Sequence, residues 1–150
     1  MRIRVKSGSI RDRLLSFTLI AAIVVAIGIL GYTVTNPPRP ERFTEFYILG
    51  LNNEAVDYPV ELTIGEEGKV IVGIINREQE TVSYNVKVVV DYVIGNEIEP
   101  VTLEYDEKWE QVISFTPHRV GANQKVEFLL YKLDKDEVYQ KLHLWIDVTE

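Results

Sequence analysis

Cysteine is missing from all 150 residues. That absence excludes disulfide staples, thiolate zinc sites, iron–sulfur ligation and a cysteine nucleophile. Histidine occurs only as His118 and His143, in separate segments and without the spacing of a paired-histidine metal motif. Asn36, Asn52, Asn53, Asn76, Asn85, Asn96 and Asn123 all lack Ser or Thr two positions on, so an N-glycosylated stalk is not expected. Beyond the anchor, serine is confined to Ser83 and Ser114, both in β-prone runs, and nothing resembles a nucleophile elbow. The chain reads as non-catalytic, with no cofactor and no resident metal. Asp134-Lys135-Asp136-Glu137 gathers three carboxylates in a turn, but it lacks the glycine and distal glutamate of a calcium loop and reads as a solvated hairpin tip. Glu66-Glu67, between Gly65 and Gly68, reads likewise as a tight turn.

Charge is what residues 14–38 lack entirely. The stretch from Leu14 to Val34, LLSFTLIAAIVVAIGILGYTV, is long enough as a helix to reach about 30 Å, the thickness of a bilayer's hydrocarbon core. Ser16, Thr18 and Thr33 can bond carbonyls one turn back, and Tyr32 suits the interface at the far end. A cleaved signal peptide is the competing reading, but its apolar region is shorter and Tyr32-Thr33-Val34-Thr35 is a poor cleavage site. The segment therefore reads as an uncleaved anchor in the lipid bilayer. Residues 1–13 carry Arg2, Arg4, Lys6, Arg11 and Arg13 against Asp12, while only Arg39 and Arg42 follow the helix closely. That bias places the N-terminus in the cytoplasm and the rest of the chain outside the cell membrane. Ala22, Ala26, Gly28 and Gly31 are ordinary for a membrane helix and do not by themselves indicate a helix pair.

The net charge of −7 averages unlike parts: +4 over residues 1–13 and −11 from Arg39 onward. So acidic a domain excludes nucleic acid as a partner, because that affinity comes from Lys and Arg on phosphates. Residues 35–42 hold three prolines in four positions and read as an extended stalk rising about 3.1 Å per residue. From Phe43 the apolar period becomes two. β-prone runs cover 43–49, 59–64, 69–76, 81–94, 98–105, 108–115, 124–133 and 138–148, with turn signals at Gly65–Gly68, Gly95-Asn96, Asp106-Glu107, Gly121–Asn123 and Asp134–Asp136. Seven to eight short strands predict an all-β, immunoglobulin-like sandwich over residues 43–150, preceded by the one transmembrane helix.

Alternation assigns faces. Val82, Tyr84, Val86, Val88, Val90 and Tyr92 share one side, as do Val126, Phe128 and Leu130, and Leu142, Leu144, Ile146 and Val148. Trp109 alternates with Ile113 and Phe115 and reads as core or rim. The opposite side of the 81–94 run and the last two runs is unusual for a solvated surface. It would bring Val89, Leu129, Tyr131, Tyr139, His143 and Trp145 together beside Lys87 and Asp91. Aromatic anchors on an exposed face mark partner surfaces; alternatively, the 43–49 segment covers this face. The partners such a surface fits are other membrane or envelope proteins. A glycan stacking on the aromatic rings is the alternative, and a purely structural, ligand-free envelope component is a third.

Phe43-Thr44-Glu45-Phe46-Tyr47-Ile48-Leu49-Gly50, then Tyr58 to Glu66 and Val70-Ile71-Val72-Gly73-Ile74-Ile75-Asn76, carry a resemblance. Together they resemble the C-terminal extracytoplasmic part of an archaeal membrane-protein family known only as domain of unknown function 1616. The resemblance implies a surface-exposed β domain on a membrane anchor, with no established activity. Many members place several membrane helices before this region, whereas this chain shows one. More loosely, G-E-x-G-x-V-x-V-x-I-x-N over residues 65–76 resembles the opening of adhesion-related immunoglobulin-like modules.

Overall fold

The computed structural model describes residues 9–150, so Arg2, Arg4 and Lys6 of the basic tail lie outside the described residues. Two compact units result, divided after Pro40. The first is a single helix, α1 (Ile10–Thr35), longer at both ends than the apolar run alone predicts. Its start is set by Asp12, whose carboxylate accepts the Ser9 N–H at 2.9 Å. Its 26 residues reach about 39 Å. Ser16, Thr18 and Thr33 bond back to Asp12 O, Leu14 O and Leu30 O at 2.9, 3.1 and 2.9 Å, so none of these three hydroxyls is left bare on the apolar surface. Asn36 caps the last turn on Tyr32 O, and Pro37-Pro38 forbid another. No residue of α1 is buried. A helix this apolar without protein cover is one that a bilayer can solvate.

The second unit is a two-sheet sandwich. Its strands are β1 (Phe43–Leu49), β2 (Glu61–Thr63), β3 (Gly68–Arg77), β4 (Val82–Val90), β5 (Val93–Leu103), β6 (Lys108–Phe115), β7 (Gly121–Lys132) and β8 (Val138–Thr149). One sheet has the order β1-β3-β6 and the other β2-β8-β7-β4-β5. All pairings are antiparallel except β2 with β8. The core follows the predicted alternation. Val70, Val72, Ile74, Ile113 and Phe115 of the smaller sheet meet Tyr84, Val86, Val88, Val126, Phe128, Leu130 and Ile146 of the larger. Phe115 and Phe128 meet edge to face at 6.3 Å, and Trp109 packs on the rim of the cluster.

The 81–94 run is not one strand. The chain reverses at Asp91-Tyr92, where both residues have positive φ (47° and 66°), as a two-residue hairpin with the strands' own twist requires. Tyr92 therefore leaves the predicted inner face and stands 85% exposed. Gly95-Asn96, which reads as a turn, lies inside β5, with Asn96 opposite Val88. The turn carries no glycine, and the strand carries one, so local chemistry points to the wrong place.

Outer-face glycine matters in β3. Tyr47 of β1 lies across Gly73 and its hydroxyl reaches Glu110 of β6 at 2.6 Å, so one side chain spans all three strands. A Cβ at residue 73 would sit 2.2 Å from the Tyr47 ring. Gly73→Ala is expected to evict the ring and cost about 1–3 kcal/mol in urea denaturation. The double variant with Tyr47→Ala should lose less than the two single losses together; strict additivity would show that the contact is not the cause.

Candidate functional site

The larger sheet's outer face is built by register. Asn85 stands opposite Tyr131, Lys87 opposite Leu129 and Val89 opposite Glu127 across β4–β7. Lys125 stands opposite Trp145, Glu127 opposite His143 and Leu129 opposite Lys141 across β7–β8. Val89, Leu129, Tyr131, His143 and Trp145 thus share one surface, each beside a charged neighbour. Trp145 is 52% exposed, with His143 edge-on at 5.9 Å and the Lys125 ammonium 6.0 Å from its ring. Lys125 is also held by Glu127 at 2.8 Å. Lys87 sits 5.3 Å from the Tyr131 ring and 3.6 Å from Glu97. Such cation–ring contacts hold the rings in place while leaving area open to a partner. The 43–49 segment does not cover this face: it is β1 of the opposite sheet.

Tyr139 is not part of that surface. β8 carries one extra residue where Leu130 pairs with Gln140 and Tyr131 with Val138, and this bulge breaks the alternation at Tyr139. The Tyr139 hydroxyl donates to Glu78 at 2.7 Å, with the Lys132 ammonium 4.0 Å from its ring.

Glu78 is the centre of a buried cluster that sequence reading missed. Its carboxylate accepts from Thr44, Tyr139 and Lys132 at 2.9, 2.7 and 2.8 Å, and Thr44 is 2.8 Å from the Tyr84 hydroxyl. Gln140 adds a bond to Thr44 O at 2.6 Å. Side chains from both sheets meet there. Burial works to raise the Glu78 carboxyl, but hydrogen bonds from Lys132, Tyr139 and Thr44 outweigh it and hold the group below the usual carboxylate range. Burial likewise works against the Lys132 ammonium, and the bond to Glu78 holds its pKa above the ordinary lysine value. Every group in the cluster has a partner, so its chemistry is that of a clasp between sheets.

A second missed feature is the smaller sheet's outer face. Leu49, Ile71 and Val112 form one row across β1, β3 and β6, next to Tyr47 and Ile75. Val112 is 51% exposed and the other four are half-buried. The signal was present in KVIVGIIN, where an unbroken apolar run marks a strand apolar on both sides. Asp134, Asp136 and Glu137 are exposed at the β7–β8 hairpin, and among the described residues no His, Cys, Asp and Glu side chains are grouped to hold a metal.

Comparison with known proteins gives three results. A family model described as Domain of unknown function (DUF1616) matches residues 37–147. No curated protein matches the chain. Among solved structures, the chain is similar to the CARDB domain of a Pyrococcus furiosus protein. Against its crystal structure, solved in complex with di-metal ions, the TM-score is 0.50 at 14% identity, covering 72% of this chain and 96% of that one. Against the solution NMR structure of the same domain the TM-score is 0.50 at 15% identity, covering 72% and 97%. At such identity the likeness concerns the fold, an immunoglobulin-like sandwich.

Proposed function

This chain belongs to the DUF1616 family, and we propose that it is a membrane-anchored, non-catalytic protein-interaction module of the cell envelope. α1 holds it in the membrane with the basic N-terminus in the cytoplasm, and the sandwich stands outside. The orientation rests on the excess of Lys and Arg before the helix over those after it. The non-catalytic reading is supported by how candidate groups are used: Ser83 shares a hydrogen bond with Thr102, and His143 packs against Trp145. Docking runs through the outer face of the larger sheet. The observation that carries this is Trp145, half exposed on a regular strand and braced by His143 and Lys125. A rigid aromatic with open area is what a partner pocket needs, and burying one removes about 150–250 Å² from water.

Trp145→Ala is expected to weaken partner capture from solubilised membranes about tenfold or more, since anchor residues of this kind contribute about 2 kcal/mol. Its melting temperature should stay close to that of the wild type, because Ile146 and Leu144, not Trp145, fill the core. Equal capture by both proteins rejects this face as the docking surface. Loss of the cooperative transition in the variant would instead assign Trp145 to stability.

A further inference from the structure

A cleft of about 540 Å³ opens on the larger sheet beside Tyr131, and the fold explains why it exists. Across β4–β5 the register runs from Tyr84 opposite Val101 to Val86 opposite Ile98, so Glu99 and Pro100 together face Asn85 alone. Pro100 has no N–H to give the ladder, and the strand bulges away there. Asn85, nearly buried, closes the gap by donating its amide to Ile98 O at 2.9 Å. The hollow left over the bulge is bounded on its far side by the β7–β8 hairpin at Lys135 and Asp136.

We propose that this cleft binds a neutral saccharide. Its volume lies in the range of small-molecule sites, about 300–1,000 Å³. The Tyr131 ring and the Pro100 ring line it and offer apolar surface to the C–H face of a sugar. Three lysines and three carboxylates share the lining, so no one sign prevails, and Lys132 is already committed to Glu78 at 2.8 Å. A charged ligand would meet a like charge beside each opposite one. Hydroxyl groups both donate and accept, and they can satisfy Lys87, Glu97 and Lys135 together. The cleft shares Tyr131 with the face proposed for docking but does not include Trp145, so it stands or falls without the Trp145 contact.

The test is saturation-transfer NMR on the full chain in lipid nanodiscs, with maltose, cellobiose and diacetylchitobiose as probes and galacturonic acid as the charged comparator. At least one neutral disaccharide should receive saturation on its ring C–H protons. Tyr131→Ala should weaken that signal about tenfold, while Tyr131→Phe and Trp145→Ala retain it. Silence from all three disaccharides overturns the proposal, as does an unchanged signal in a folded Tyr131→Ala. A stronger response from galacturonic acid overturns the neutral class. Loss in Trp145→Ala with retention in Tyr131→Ala would move the sugar to the docking face and reject the cleft.

Discussion

Glu78→Ala is expected to destabilise the sandwich by about 3–5 kcal/mol, the usual result of leaving one partner of a buried ion pair uncompensated. The Glu78 and Lys132 side chains are only 6% and 14% exposed. Removing the carboxylate strands the Lys132 ammonium and takes the acceptor from Thr44 and Tyr139. For a domain whose total stability is on the order of 5–15 kcal/mol, such a loss lowers the melting temperature by roughly 12–20 °C or more. Urea denaturation of the single variants and of Glu78→Leu with Lys132→Met gives the decisive comparison. The double variant should recover much of the loss, because an apolar pair of similar volume removes both the charge and its need for a partner. A single-variant cost below about 1 kcal/mol, or a double variant as poor as the sum, would show that the clasp is not what joins the sheets there.

The same pair fixes the shape of the stability–pH curve. Glu78 titrates below its ordinary range when folded, so its contribution is complete above that range and drains as pH falls through the folded value. Lys132 titrates above its ordinary range, so its contribution is complete at neutral pH and drains as pH rises through the folded value. The stability difference between the wild type and Glu78→Gln should therefore be flat near neutrality and shrink below about pH 4. A difference that grows with acid would mean the folded carboxylate is disfavoured, contrary to its three donors.

Period-two alternation made the sandwich legible because every core strand keeps one face apolar: Val126, Phe128 and Leu130 lie inside and Lys125, Glu127 and Leu129 outside, as the pattern demands. What it missed are departures from alternation. The Asp91-Tyr92 hairpin has no glycine to announce it, the bulge at Tyr139 turns a surface-patterned ring toward Glu78, and the bulge at Glu99-Pro100 opens a cleft no spacing rule foresees. Glu78 itself reads as one more loop carboxylate, since its partners Thr44, Lys132 and Tyr139 are distant in the chain. That Val89, Leu129, Tyr131, His143 and Trp145 share one face, Tyr139 excepted, was readable because β4, β7 and β8 are neighbours in the sheet order that an immunoglobulin-like fold implies. The motifs that carry the family resemblance prove to be contact partners of one another. Tyr47 of the FTEFYILG octet lies on Gly73 of V-G-I-x-N, and Thr44 of the octet bonds Glu78, two residues past the motif's asparagine. Those segments identify a fold-stabilising seam, and the face proposed for docking and the cleft lie on the other sheet.

That asparagine leads to the second large effect. Asn76 is fully buried and spends its whole side chain on backbone. Its amide donates to Glu80 O at 2.7 Å and Leu103 O at 2.8 Å, and its carbonyl accepts the Glu78 N–H at 2.9 Å. Its own backbone bonds Glu107 O and Asp106 N, so one residue ties the end of β3 to the β3–β4 loop and to the β5–β6 hairpin. Asn76→Ala orphans the buried Leu103 O and Glu78 N–H, each costing about 1–3 kcal/mol, as well as the part-buried Glu80 O, and is expected to lose about 3–5 kcal/mol in urea denaturation. Asn76→Asp keeps the shape but turns the two donors into acceptors facing two carbonyls, with the Glu78 carboxylate close in the chain. An Asp there is disfavoured in its charged form, so its folded pKa rises and the variant should regain stability as the solution is acidified, opposite in sign to Glu78. Amide exchange at Glu78 should accelerate in both variants, because its N–H has lost its partner in one and shares a strained one in the other. Since Asn76 positions the backbone that carries the Glu78 carboxylate, the Asn76→Ala and Glu78→Ala losses should fall short of additive by more than about 0.5 kcal/mol. Strict additivity would separate the polar plug from the clasp and leave each to hold its own end of the sandwich.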